Sequence, residues 1–353
     1  MNQILNAFKL DAPVTSCERY GCGHVNETYL VVSESGRRYI LQKISTRAFH
    51  DVPALMQNII SVTQFLKEKT DDPRGVLTLV PTTEGEDHYH APNGKTWRVY
   101  EFIEDGICLE AAETPYDFYQ AAIAFGTFQQ QLNDFPAETL HETIPLFHNT
   151  PNRYAQLREV LERDPLSRAK DVQTEIAFAL EREEKAGQLI AMLEAGELPL
   201  RVTHNDTKLN NVMFRASDRT PLCVMDLDTT MPGLSAYDFG DAIRFGASTA
   251  AEDEKDLNKV WMDLELFRLF TRGYLEACPG LTPKEIEVLP LAAFTMTLEC
   301  GIRFLTDYID GDNYFSIHYA EQNLDRCHTQ FKLVYDMEAK WNKMVKIVEN
   351  RGR

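Results

Sequence analysis

Residues 201–228 restrict the fold more than any other stretch, because a polar loop is held there between two short apolar runs. RVTHNDTKLNNVMF contains H-x-D-x-x-x-x-N as His204, Asp206 and Asn211, and Asp226 follows the apolar run LCVM. NVMF (211–214) and LCVMDL (222–227) read as short strands that bracket the polar residues. A tight loop followed by a short hairpin would put Asn211 and Asp226 on one rim of a cleft. Phosphoryl transfer needs these residue types in this order. One carboxylate accepts or orients the proton of an acceptor hydroxyl, while an Asn and a second carboxylate hold Mg²⁺ on nucleotide phosphates. Asp and Asn also populate ordinary turns, but the ordered triple in a strand–loop–strand setting favours the chemical reading.

A chain of 353 residues exceeds one ordinary core, which predicts two lobes. The first hundred residues read as β-rich with one helix. TYLVVS (28–33) and RRYILQKIS (37–45) are strand-like runs joined at Glu34-Ser35-Gly36. From Asp51 to Lys69, Val52, Leu55, Ile59, Val62, Phe65 and Leu66 recur at helical spacing. LTLVPTT (77–83) and TWRVYEFI (96–103) read as a second strand pair turning at Asn93-Gly94. Beyond Tyr116 the pattern is mostly helical, including one long helix from Ser167 to Leu193. The expected boundary divides a nucleotide-binding lobe, 1–104, from a helical lobe, 105–353, carrying the catalytic loop and acceptor site.

Composition excludes several functions. No run of about 18 apolar residues exists, which predicts no membrane helix. MNQILNAFKL lacks a basic segment leading into an apolar one, which predicts a cytoplasmic rather than an exported protein. Seven dispersed cysteines without a C-x-x-C pair suit reduced thiols. A net charge of −18 opposes nucleic acid and anionic membranes as partners.

The N-terminal region adds a second group of candidates. Tyr20-Gly21-Cys22-Gly23-His24-Val25-Asn26 falls between predicted strands, where Gly21 and Gly23 would let backbone N–H groups approach a triphosphate. Lys43 lies within the apolar strand YILQKIS, the place of a lysine that pairs α- and β-phosphates. A Glu partner is missing at the expected spacing on the following helix; Gln57 and Asn58 occupy that region, and Glu68 is too far along. A Gln amide there would orient Lys43 without a charge. Glu101, Phe102 and Ile103 are expected to form the hinge that faces adenine.

The loop Asp, the Asn five residues on and the Asp after the next strand resemble the aminoglycoside and choline kinase branch of the protein-kinase-like fold. That resemblance implies an α+β, bilobal architecture with a β-rich N-terminal lobe and a mostly helical C-terminal lobe. It implies ATP and Mg²⁺ as cofactors, Asp206 as catalytic base, and Asn211 with Asp226 as metal ligands; Asp228 is a further second-sphere or second-metal candidate. Residues 238–240 spell Asp-Phe-Gly, yet they end no apolar strand and lie too far from Asn211 to bind the metal. In AYDFGDAIRFG, Asp238 is instead expected to brace the catalytic loop, with Asp241 as its rival.

GIRFLTDYIDGDNYF (301–315), Gly23-His24-Val25-Asn26 and THND together are similar to the N-acetylhexosamine 1-kinases of gut bacteria. This resemblance spans nearly the whole chain and implies phosphorylation of the anomeric hydroxyl of N-acetylglucosamine or N-acetylgalactosamine. It points to Arg303, Tyr314, His24 and Asn205 as substrate-binding residues, with Phe245 and Asn26 behind them. Arg303 could otherwise pair with Glu299 one turn away, and Tyr314 could be a half-buried core aromatic. Three alternatives stay open: an amino alcohol, homoserine or aminoglycoside acceptor; a pseudokinase; and, for His88-x-His90, a surface hairpin rather than a metal site.

Overall fold

The computed structural model describes residues 1–21 and 25–353. Two compact units emerge: Met1–Ile107 with Glu138–Pro145 and Met213–Met231, and Cys108–Ala137 with Leu146–Val212 and Pro232–Arg353. The first therefore recruits two later segments, one of which carries Asp226 and Asp228.

The first unit is built on an antiparallel sheet of β1 (Val14–Arg19), β2 (Glu27–Ser33), β3 (Arg38–Lys43), β4 (Leu79–Val80), β5 (Tyr89–His90) and β6 (Thr96–Glu101). Its order is β1-β2-β3-β6-β4, and β5 also pairs with β6. The Asn93-Gly94 turn joins β5 to β6, with Gly94 at φ +76°, whereas β4 reaches β6 through a longer connection. His90 is thus part of a hairpin, as its sequence context suggests.

Strand alternation explains the two faces. Val31, Leu41 and Val99 are fully buried with Tyr39, Trp97, Leu5 and Phe8 in one cluster. Arg98 points the other way, where its guanidinium reaches the Met56 sulfur at 4.0 Å. Met56 belongs to the Val52–Lys67 helix, whose N-cap Asp51 accepts from Ala54 N–H and whose first turn holds Pro53. Leu55, Ile59 and Val62 are fully buried on its inner face. Each contributes about 1.5–3 kcal/mol of burial. The hairpin of Val212–Arg215 and Pro221–Val224 packs Leu222 and Cys223 against Ile103 and Leu77.

The second unit is helical. Leu289–Asp310 runs through its core with nearly every residue buried. Ser235–Gly246 crosses it closely, since a Cβ on Gly240 would lie 2.4 Å from the Ala292 carbonyl oxygen. The predicted helix over 167–193 is instead a short 3₁₀ turn followed by Gln173–Leu180, Glu183–Ala186 and Gln188–Glu194. Arg182 marks one break: its guanidinium folds back to the Phe178 carbonyl oxygen at 2.9 Å and pairs with Glu338 at 2.8 Å.

Candidate functional site

In the first unit, Lys43 ends β3 opposite Glu27 of β2, and the two side chains form an ion pair. The partner sought on the helix therefore comes from the adjacent strand. Gln57 does not orient Lys43, because its amide oxygen meets His141 Nε2 at 2.8 Å. Asn58 is buried and joins the 138–145 segment to the Asp226 segment, accepting from His141 N–H and donating to the Thr230 carbonyl oxygen at 3.1 Å.

Asp226 and Asp228 lie two residues apart in opposite environments. Asp226 takes a left-handed backbone, φ +55°, and is exposed. Asp228 is buried, meets Arg98 Nη1 at 2.7 Å and accepts from Asn26 Nδ2 at 2.6 Å. Asn26 also accepts from the Ser45 N–H at 3.0 Å, tying the end of β3 to this corner. Asp228 is thus committed to structure, and Asp226 is the carboxylate presented outward. Arg98 additionally grips Gln42 Oε1 through Nε and Nη2. Burial opposes its charge, yet Asp228 together with Tyr100 and Asp226 holds its pKa above the ordinary arginine value.

Gly21 has φ +71° and open space where a Cβ would project. Gly23 and His24 lie outside the described residues. In the expected hinge, the Glu101 N–H bonds the Thr78 carbonyl oxygen and the Phe102 N–H bonds that of Arg38. Both donors are spent in the sheet.

In the second unit, the loop from His204 to Asn211 is held from below by two aspartates. Asp238 accepts from the N–H groups of His204 and Asn205 at 2.9 and 2.8 Å. Asp241 accepts from the Thr207 N–H at 3.1 Å and pairs with Arg244 at 2.9 Å. Both rivals therefore brace the loop, one at each end. Burial raises the Asp241 carboxyl, but Arg244 and Lys208 outweigh it and hold the group ionised below its ordinary range.

These bonds fix Asn205 at φ +64°, an unusual backbone for a non-glycine residue. The Asn205 amide donates to the Thr203 carbonyl oxygen at 3.3 Å, so its side chain is turned into the loop. Asp206 follows, with Oδ1 2.8 Å from Lys208 Nζ and Oδ2 3.0 Å from Asn211 Nδ2. Asn211 Nδ2 also donates to the Asp206 carbonyl oxygen at 2.8 Å. With its amide nitrogen committed to Asp206, the amide oxygen is the atom Asn211 has to offer a hard cation, and that fits Mg²⁺.

Two residues that sequence spacing does not reveal complete the loop. His148 meets Glu299 Oε1 through Nδ1 at 2.9 Å and the Asn205 carbonyl oxygen through Nε2 at 3.3 Å. The ring thus bridges the Glu299 carboxyl and the loop backbone. Thr150 fills the other Glu299 oxygen at 2.6 Å. Glu299 is therefore occupied and does not pair with Arg303.

Arg303 instead stands among rings, its guanidinium carbon 5.3 Å from Phe147, 5.8 Å from Tyr314 and 5.4 Å from Phe315. Tyr314 is 65% exposed, which rules out the core-aromatic alternative. Its loop is set by Asp307, whose carboxylate accepts from the N–H groups of Asn313, Tyr314 and Phe315 and from Asn323 Nδ2. Asp307 was not visible as a site residue because its role depends on a loop curling back around it.

A separate cleft of about 680 Å³ is lined by Phe118, Leu209, Phe245, Glu110, Glu113 and Glu265, among others. Of the sequence-derived candidates, it includes only the weaker one, Phe245.

A model of the phosphotransferase enzyme family, APH, matches residues 16–261. The chain belongs to that family. This phosphotransferase is similar in structure to the microcompartment-associated aminopropanol kinase, with a TM-score of 0.69 and 17% identity over 97% of each chain. Against Plasmodium vivax ethanolamine kinase the TM-score is 0.56 at 15% identity, covering 89% of this chain and 82% of the other. Choline kinase from Cryptosporidium parvum Iowa II gives 0.56 at 14% identity, over 95% and 92%. These likenesses establish the expected α+β, protein-kinase-like fold. No helix among the described residues is long and apolar enough to cross a membrane.

Proposed function

We propose that the phosphotransferase uses ATP to phosphorylate the anomeric hydroxyl of an N-acetylhexosamine. The observation that carries this reading is Arg303, a guanidinium framed by three rings whose nearby carboxylate, Glu299, is already occupied. Such a group recognises neutral oxygen acceptors such as hydroxyls and an acetamido carbonyl, and repels an ammonium. Tyr314 beside it supplies a ring face and a hydroxyl to the sugar, and His24 is a further candidate contact.

In the proposed step the O1 oxygen forms a bond to the γ-phosphorus as the bond to the β–γ bridging oxygen breaks. ADP leaves with that electron pair, and the O1 proton passes to Asp206. Lys208 and Asn211 keep the Asp206 carboxylate aimed before transfer. Lys43, Gly21 and Gly23 serve the nucleotide phosphates, and Glu101 to Ile103 face the base. Asn211 and Asp226 are the proposed Mg²⁺ ligands, and the ion's chemistry is neutralisation of phosphate charge.

A second reading, a cationic amino-alcohol or aminoglycoside acceptor, is favoured by the acidic cleft beside Leu209, where Glu110, Glu113, Glu252, Asp263 and Glu265 gather. Incubation with ATP, Mg²⁺ and a panel of sugars and amino alcohols, with products identified by phosphorus NMR, separates the two. A hexosamine 1-phosphate is expected. Phosphate on another hydroxyl, or only on an amino alcohol, would overturn the sugar reading.

A further inference from the structure

The ring that frames Arg303 is itself held by a second arginine. Arg153, on the Thr150–Arg163 helix, donates from Nη2 to the Phe147 carbonyl oxygen and from Nη1 to Gln156 Oε1 at 3.0 Å. Its Nε is inaccessible and has no acceptor among the described residues. Phe147 therefore has one guanidinium on its backbone and another 5.3 Å from its ring. Burial first, and then the charge of Arg303, pull Arg153 below the ordinary arginine value against Glu299 and Tyr314. Glu299 is already shared between His148 and Thr150. Two guanidinium groups thus flank Phe147, and the Asp307 carboxylate is turned to the backbone of the Tyr314 loop.

Resting on the reading of Arg303 as an acceptor-binding group, we propose that Arg153 is a specificity-determining residue. Its charge behind Phe147 makes the Arg303 patch reject acceptors bearing an ammonium and admit their neutral, N-acylated counterparts. No hydrogen bond from Arg153 to the acceptor is required. The selection is a field effect, in which a fixed cation raises the free energy of the charged acceptor and leaves the neutral one almost unaffected. Fold neighbours that include aminopropanol, ethanolamine and choline kinases make the distinction consequential.

Matched acceptor pairs test it: N-acetylglucosamine against glucosamine, and N-acetylethanolamine against ethanolamine. For wild type, kcat/KM should favour the neutral member, and the gap should narrow as pH rises through the amine's own pKa. Arg153→Gln should reduce the discrimination about tenfold or more and flatten that pH dependence. Arg153→Lys keeps the charge but loses the fork to Phe147 and Gln156. It should preserve the discrimination even where acceptor KM rises, which a purely structural role would not. If Arg153→Gln is folded by circular dichroism yet discriminates like wild type, or if Arg153→Lys loses discrimination equally, the proposal is overturned. Should Arg153→Gln fail to fold, the lysine variant and the wild-type pH profile decide. Selective turnover of N-acetylethanolamine alone would overturn the sugar reading and leave charge selection standing. Preference for the ammonium member, or turnover of neither pair, would overturn both.

Discussion

Arg98 and Asp228 meet at 2.7 Å with side chains only 1% and 3% exposed, joining β6 of the sheet to the corner that presents Asp226. Removing two charges from water is costly, and their attraction recovers that cost only with close geometry and further hydrogen bonds. Gln42 supplies those bonds to Arg98, and Asn26 supplies one to Asp228. The pair holds a backbone corner in place while leaving the neighbouring carboxylate exposed.

Asp228→Ala should leave Arg98 buried without its counterion and destabilise the protein by about 3–5 kcal/mol. Urea denaturation checks this. A loss below about 1 kcal/mol would mean that the corner does not depend on the pair.

Asp206→Asn should lower kcat by a factor of about 10²–10⁴ while nucleotide affinity changes little, because the amide keeps the shape but cannot take a proton. Steady-state kinetics together with calorimetric nucleotide titration separate the two effects. Near-normal turnover would refute the base assignment.

Lys43→Ala should weaken nucleotide binding at least about tenfold, the effect of losing a charge-assisted phosphate contact. Glu27→Gln should change stability by less than about 1 kcal/mol, since the Lys43–Glu27 pair is partly solvated, with side chains 24% and 41% exposed. If the Glu27 variant instead matched Lys43→Ala in nucleotide affinity, Glu27 would be required to aim the lysine.

Glu299 predicts an acid-side dependence. Burial pushes its carboxyl up, but His148, Arg153 and Thr150 together bring it below the ordinary 4.5. A folded-state pKa below the unfolded one adds stability above the unfolded value, and that stability is lost as pH falls through the folded value. The Tm advantage of wild type over Glu299→Gln should therefore shrink as pH is lowered from about 6 to about 3. A difference that does not vary with pH would show that the carboxylate charge is irrelevant.

The contact between Asp206 and Asn211 was legible because it depends on residue types at short spacing along one segment. Asp238, with Asp241 as its rival, was named from the family resemblance of AYDFGDAIRFG and not from that spacing. Lys43 was equally visible, but its partner was sought on a helix by analogy of order. The pairing of Glu27 with Lys43 becomes apparent only once β2 and β3 are in register. Arg98 inside WRVYEF is buried against an aspartate far away in the chain. His148 and Glu299 likewise act on Asn205 from distant segments. Such contacts depend on tertiary proximity, to which neither periodicity nor motif spacing responds.

The first unit takes in Met213–Met231, so its assembly is not a matter of the first hundred residues. During synthesis, a nascent chain that has emerged only to Ile107 contains Arg98 and the whole six-stranded sheet, but neither Asp228 nor the hairpin whose Leu222 and Cys223 cover Ile103. Closing the sheet early would bury a lone guanidinium. The ribosome must therefore deliver the whole 204–211 loop before the N-terminal unit can reach its final state, and a fragment cut at 107 would be an incomplete folding unit rather than a minimal domain.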